Sequence, residues 1–396
     1  LVGKGDGCMA YYSGNLKLIV DWRDDVLMDF VDDLTLEHIE GQLLWEEAWH
    51  SCALDGVVVP FEEMDAVKEI AAKRLEYSEE IIEKMLKGKI SEKKLSNVLS
   101  YSFDDIKPSW AEVIRYYEVA MAMYGMALEM RENVLFLLPK LPRLIHRSLF
   151  YGIPGKEKSG EYRKTSSIED AGVPSLLKEL APKDNIEEFM KIWSEFTRLL
   201  FVQRWNYTLD NVEYSHALFM SILPFEYGNG RVGRIIMNML LLMAKYGNAI
   251  ISSEEEEKKM YFRGLERGAK VFHEQFVSGQ TLPMQLAILY QMRRSSDLIK
   301  SIVYGLADSY DILLNYYLKD KLVPLSEFVK QSGKKLSEVQ RLVRSRKLIR
   351  KKIDGEWYVY PEIAPKSLEE FLGSGRMNTV EKESKQNDGA KKKNKK

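Results

Sequence analysis

The loop Gly228-Asn229-Gly230-Arg231 opens directly into the apolar run Ile235–Ala244, with Gly247 beyond it as a C-cap. A run apolar on almost every face is a buried helix, so the rest of the chain must wrap around it. The turn in front of that helix has the chemistry of an anion cradle. Free N–H groups and the positive end of the macrodipole lie there. Gly228 and Gly230 permit positive φ and close backbone approach, while Asn229 tolerates the left-handed region and can cap. Arg231 and Arg234 add forked guanidinium donors on one helical face. The competing reading is an ordinary helix start, its arginines solvated or paired with local acids; short glycine motifs are weak evidence alone.

The wider stretch Leu223–Arg234 resembles the signature of the Fic (Fido) family, His-Pro-Phe-x-(Asp/Glu)-Gly-Asn-Gly-Arg-x-x-Arg. Pro224, Phe225, Gly228, Asn229, Gly230, Arg231 and Arg234 match; Leu223 and Tyr227 do not. The resemblance implies nucleotide binding at Gly228, Asn229, Gly230, Arg231 and Arg234. It also places both departures on the chemistry. The family's histidine is the general base for AMP transfer from ATP to a protein hydroxyl, and its acid holds Mg²⁺. Leu223 cannot take a proton, a loss of about 10²–10⁴ in rate. Tyr227 is a poor ligand for a hard cation, so ATP is the expected cofactor and Mg²⁺ is doubtful. His216 lies about 10 Å upstream on a continuous helix, too far for direct proton transfer. Glu226 points away from the acid position.

Thr35–Leu54 reads as an amphipathic helix stopped at Asp55-Gly56. Ser51, Asp55 and Gly56 resemble the family's inhibitory motif, (Ser/Thr)-x-x-x-Glu-(Gly/Asn), with Asp for Glu. The resemblance implies that Asp55 faces Arg234 across the nucleotide pocket. Asp is one methylene shorter, so the sequence leaves open whether the two meet. Without the resemblance, Asp55 is a surface acid at a helix end. Leu141–Phe150 and Gly160–Arg163 are similar to the family's helix and turn before the target-docking flap. That flap falls at Lys164–Val173, as a small β-hairpin able to pair with a target peptide. His146 reads as a packing residue.

The expected fold class is mainly α, a Fic-type bundle followed by a C-terminal winged helix-turn-helix. Helical patterns cover Phe61–Leu86, Ser91–Leu99, Ser109–Arg131, Asn133–Phe150, Ile186–Tyr207, Glu213–Ile222, Arg231–Tyr246, Ser253–Phe276 and Met284–Leu318. Residues 1–15 read as an arm leading to a short strand over Leu16–Val20, residues 16–318 as the Fic-like body and 319–373 as the winged helix. Residues 374–396 form a lysine-rich tail without a core. In the third segment, helices at Pro324–Gln331 and Leu336–Arg346 precede strands at Leu348–Ile353 and Glu356–Tyr360. Asp354-Gly355 between the strands is a type I′ hairpin signal. Arg341, Arg344, Arg346 and Lys351 are the DNA-binding candidates; a docking module with a solvated basic face is the equal alternative.

A net charge of −1 supplies no global pull toward polyanions, and two cysteines give no disulfide framework. With no secretory leader and no spanning run, the expected location is cytoplasmic and no membrane partner is implied. Expected partners are a nucleotide, a protein target at the flap, DNA, and a second copy of the chain. Three functions fit these expectations. The leading one is a degenerate nucleotide-binding regulator. The rivals are an active protein adenylyltransferase and a DNA-binding regulator whose helical body serves as sensor.

Overall fold

The computed structural model describes residues 14–28, 33–72, 106–129, 138–153, 155–202, 209–277, 296–367 and 370. The N-terminal arm before residue 14, the Ser91–Leu99 helix and the C-terminal tail lie outside these residues. The chain divides into two compact units, Gly41–Ile302 and the pair Leu1–Glu40 with Val303–Lys396. The expected boundaries at 16 and 318 differ from this division.

The first unit contains most of α2 (Asp33–Leu54), then α3 (Pro108–Glu129), α4 (Leu141–Phe150), α5 (Ser175–Leu180), α6 (Ile186–Val202), α7 (Leu209–Ile222), α8 (Asn229–Met243) and α9 (Glu255–Val277). Its core is the pair α7 and α8, buried at every residue. Around them pack α3, α4, α6 and α9, which explains why Ile235–Ala244 is apolar but for the buried, hydrogen-bonded Asn238. The loop 223–228 joining α7 to α8 is buried except at Glu226. Pro142 lies in the first turn of α4, which starts at Leu141; residues 133–137 of the expected Asn133–Phe150 helix lie outside the described residues.

In the second unit, α1 (Gly14–Met28) replaces the strand expected over Leu16–Val20. Five residues were too short a window: burial continues through Trp22, Val26 and Leu27 at helical spacing. Arg23, fully buried, ties α1 to α10 (Ser296–Tyr317) through Asp311 at 2.8 Å. It also donates to the carbonyls of Arg346 and Leu348, both at 2.8 Å. These bonds draw α1 into the C-terminal unit.

The remainder of that unit runs β1 (Val323–Pro324), α11 (Leu325–Ser332), α12 (Leu336–Arg344), β2 (Arg350–Ile353) and β3 (Glu356–Val359), with sheet order β1-β3-β2. Asp354 and Gly355 both have positive φ, 49° and 85°, as a type I′ turn requires. Phe328, Val339, Val343, Leu348 and Val359 form its own core. The helix, turn, helix, hairpin order expected from the sequence is present.

Candidate functional site

The α7–α8 loop is built to be rigid. Leu223 holds φ +46°, uncommon for a branched residue. Arg163 keeps it there: its guanidinium donates to the carbonyls of Leu223 (2.7 Å), Ile222 (3.1 Å), Thr165 (2.9 Å) and Pro182 (2.5 Å). Asn229 closes the loop on Phe225, accepting its N–H and donating to its carbonyl, each at 2.8 Å. His146 stacks on the Phe225 ring with centroids 3.9 Å apart. Its Nδ1 accepts from the Gly160 N–H (2.7 Å), so its Nε2 carries the proton shared with the Tyr227 carbonyl (2.9 Å). Burial pushes His146 down to about 3, so it is a neutral pin, as its packing role requires.

Gly228 is left-handed at φ +74°, and a Cβ there would overlap the Phe150 ring. The amides that follow it are already engaged. Asp170 accepts from the N–H of Gly228, from the N–H of Asn229 (3.0 Å) and from Asn229 Nδ2 (2.7 Å). Asp55 accepts from the Arg231 N–H (3.3 Å), Arg231 Nε (3.1 Å) and Arg234 Nη2 (2.7 Å). Arg231 further pairs with Glu112 (2.5 Å), and its guanidinium lies 4.6 Å from the Phe150 centroid. Arg234 donates to Ser51 Oγ and to the Ser51 carbonyl, both at 2.7 Å. Burial lowers both arginines, but the charges of Glu112 and Asp55 around Arg231, and of Asp55 beside Arg234, outweigh it and raise them. Both stay charged and paired.

The structure thus brings Ser51, Asp55, Gly228, Asn229, Gly230, Arg231 and Arg234 to one place. Asp55 reaches Arg234 directly despite its shorter side chain, and it spans to Arg231 as well. Gly56, at φ +88°, ends the turn that carries it. A Cβ on Gly230 would overlap the Asp55 carboxylate. Asp170 and Glu112 belong to the site but carry no motif spacing, Asp170 lying inside the stretch assigned to the flap; Phe150 and Arg163 close the two stretches that resemble the family's helix and turn.

The residues at the catalytic positions do other work. Leu223 is fully buried core. Tyr227 packs between His146 and Phe150, with Lys156 4.3 Å from its ring centroid. Glu226 is turned away to Lys158 at 2.7 Å. His216 is held by the Gly233 carbonyl (3.1 Å) and the Tyr261 hydroxyl (2.8 Å), and burial with the Arg234 charge lowers it to about 3. Cys52 is buried, which pushes its thiol up to about 12. The expected β-hairpin over Lys164–Val173 is absent; 161–170 is irregular. Two backbone bonds, Arg163 N–H to the Pro224 carbonyl (2.9 Å) and Glu169 N–H to that of Glu226 (2.5 Å), seal it against the loop.

The sequence model of the Fic/DOC family matches residues 137–241. Residues 137–241 form a Fic/DOC domain. The solved Fic-1 of C. elegans is similar in fold, with 13% identity, TM-score 0.50, and 77% of this chain and 73% of that one covered. A Fic domain containing signaling protein from Bacteroides thetaiotaomicron shows 15% identity and TM-score 0.48 over 76% and 98% of the two chains. A Fic family protein from Desulfovibrio desulfuricans gives 13%, 0.40, 88% and 97%. No curated protein matches the chain.

ATP with Mg²⁺, which Fic proteins use, does not fit this Fic domain in the conformation seen. The amides answer to Asp170, the arginines to Asp55 and Glu112, and position 227 offers no carboxylate. Among the described residues no group of histidine, cysteine, aspartate and glutamate could hold a metal ion. No helix of the described residues is long and apolar enough to cross a membrane.

Of the four DNA-binding candidates, Arg341, Arg344 and Lys351 are exposed. Arg346 is not: it is 4% exposed, paired with Asp308 at 2.9 Å and set over the Tyr304 ring. Its positive φ of 55° turns the chain back toward α10 after α12 ends. It is a structural arginine.

Proposed function

We propose that the Fic domain of this chain is a closed regulatory body that performs no AMP transfer. Fic domains typically transfer AMP or other nucleotide groups to proteins. The observation that carries the reading is the occupation of the Gly228, Asn229 and Arg231 amides and of both arginines by Asp55, Asp170 and Glu112, beside a buried leucine at the base position. Interactions that stabilise the closed form are withdrawn from any phosphate, which must compete with them. Nucleotide binding belongs to an open form, and ATP acts here as a competitor for the closed state, not as a substrate.

The test is incorporation of label from ATP in the presence of Mg²⁺ by the full chain, alone and with Leu223→His/Tyr227→Asp. Neither protein is expected to label itself or a lysate protein. Labelling by the wild type that Arg231→Ala abolishes would defeat the reading.

One observation favours a second role for the C-terminal unit. Residues 319–367 hold thirteen Lys and Arg against six Asp and Glu, net +7 in a chain of net −1. Ser337, Arg341 and Arg344, spaced i, i+4, i+7, form an exposed stripe on α12 opposite buried Val339 and Val343. Lys351 and Lys352 are exposed on β2. We propose that this unit binds duplex DNA through α12 and the hairpin. Gel shift with a short duplex should weaken steeply between about 50 and 200 mM salt, and Arg341→Ala/Arg344→Ala should flatten that slope. No shift at the low-salt end would reject it.

A further inference from the structure

Besides Glu112 on Arg231 and Ser51 on Arg234, two carboxylates each hold a separate set of the loop's donors. Asp55, at the end of α2, takes the Arg231 amide and both guanidinium groups. Asp170, from the segment expected to be the flap, takes the amides of Gly228 and Asn229 and the Asn229 side chain. No donor is shared. We propose that Asp170 is a second internal anion, which holds the amide half of the cradle shut independently of Asp55. The inference rests on the reading of this loop as a closed site and gives that closure two locks.

Independence comes from how each carboxylate is anchored. Asp170 is 5% exposed, and its segment is fastened to the loop itself. The Glu169 and Arg163 amides bond to the Glu226 and Pro224 carbonyls, and the Arg163 side chain grips Ile222 and Leu223. None of these anchors lies on α2. Electrostatics act in the same direction. Burial first, then the charge of Asp55, raises the Asp170 carboxyl, so removing Asp55 relieves a repulsion and seats Asp170 more firmly. One contact opposes this. Gly172 lies so close to Leu54 and Asp55 that a Cβ there would overlap their backbone, and loosening that turn frees a neighbour of Asp170. Three hydrogen bonds to an ionised acceptor outweigh one van der Waals contact. The amide half stays shut when the Asp55 lock is removed.

Hydrogen exchange at the Gly228 and Asn229 amides reads this lock directly. It should be compared across the full-length wild type, Asp55→Ala, Asp170→Ala, the shape-preserving Asp170→Asn and the Asp55→Ala/Asp170→Ala double variant. Asp55→Ala should leave both amides as protected as in the wild type. Asp170→Ala should speed their exchange by about tenfold or more, with Asp170→Asn between the two. Calorimetry with millimolar inorganic diphosphate should then show uptake by the double variant and none by Asp55→Ala. Unchanged protection in both Asp170 variants, or diphosphate binding by Asp55→Ala as tight as by the double variant, would overturn the second lock. Fast exchange in the Asp170 variants without diphosphate uptake by the double variant supports the lock, and it overturns the reading of the loop as an anion site.

Discussion

Replacing Asp55 by alanine tests whether the buried ion cluster stabilises the closed form. The carboxylate is 4% exposed and accepts from Arg231 and Arg234, themselves 5% and 3% exposed. Breaking a buried pair from one side costs about 3–5 kcal/mol, because the remaining charge loses its compensation. Here neither arginine is left alone. Arg234 keeps Ser51 Oγ and the Ser51 carbonyl, and Arg231 keeps Glu112. Asp55 also sits just past the C-terminus of α2, where an anion opposes the macrodipole by about 0.5 kcal/mol. Both facts place the loss at the lower end, about 3 kcal/mol. For a unit of this size that corresponds to a fall in Tm of about 6–12 °C, read by scanning calorimetry on the full chain. Asp55→Asn, which keeps an acceptor, should fall by roughly half as much. In a double-mutant cycle, Asp55→Ala should couple to Arg234→Ala by about 1 kcal/mol or more. A Tm change below about 2 °C would refute the reasoning, since the desolvation of three charges would then cancel their attraction.

Two further outcomes test the packing and the C-terminal unit. Gly172→Ala introduces a Cβ into the backbone of Leu54 and Asp55, where no flexible side chain can give way; thermal unfolding should show a loss of roughly 2 kcal/mol or more, and a neutral result would mean the 54–56 turn is free to move. Asp308 takes up two guanidiniums: burial raises its carboxyl, but Arg350 and Arg346 outweigh that and hold it at about 2 against an ordinary 3.8. The depressed folded value contributes stability above about pH 4 that is lost as pH falls through 2, so Asp308→Asn should cost roughly 2 kcal/mol at neutral pH and nothing near pH 2 in urea unfolding.

Local chemistry made much of this legible from sequence, and partnership did not. The α8 run announced a central buried helix because a surface apolar on almost every face has no other place in a bundle. Asp354-Gly355 announced its hairpin because two successive positive φ angles demand those residue types. Ser51, in the last turn of α2, and Asp55, just beyond it, were found through a motif whose spacing lets both reach Arg234. Asp170 and Glu112 could not be found this way. Each lies about sixty or more residues from its partner, and nothing in a lone carboxylate's neighbourhood says which donor it will meet. Arg346 failed for the same reason in the opposite sense: it belongs to a basic strip by sequence, yet Asp308 and Tyr304 on α10 remove it from the surface. The same blindness to partners governs the anion cradle. Glycines, amides and arginines specify that negative charge will sit at the start of α8, and they do so correctly. Whether the charge arrives on a ligand or on the chain itself is a tertiary question, and Asp170 and Asp55 answer it from within.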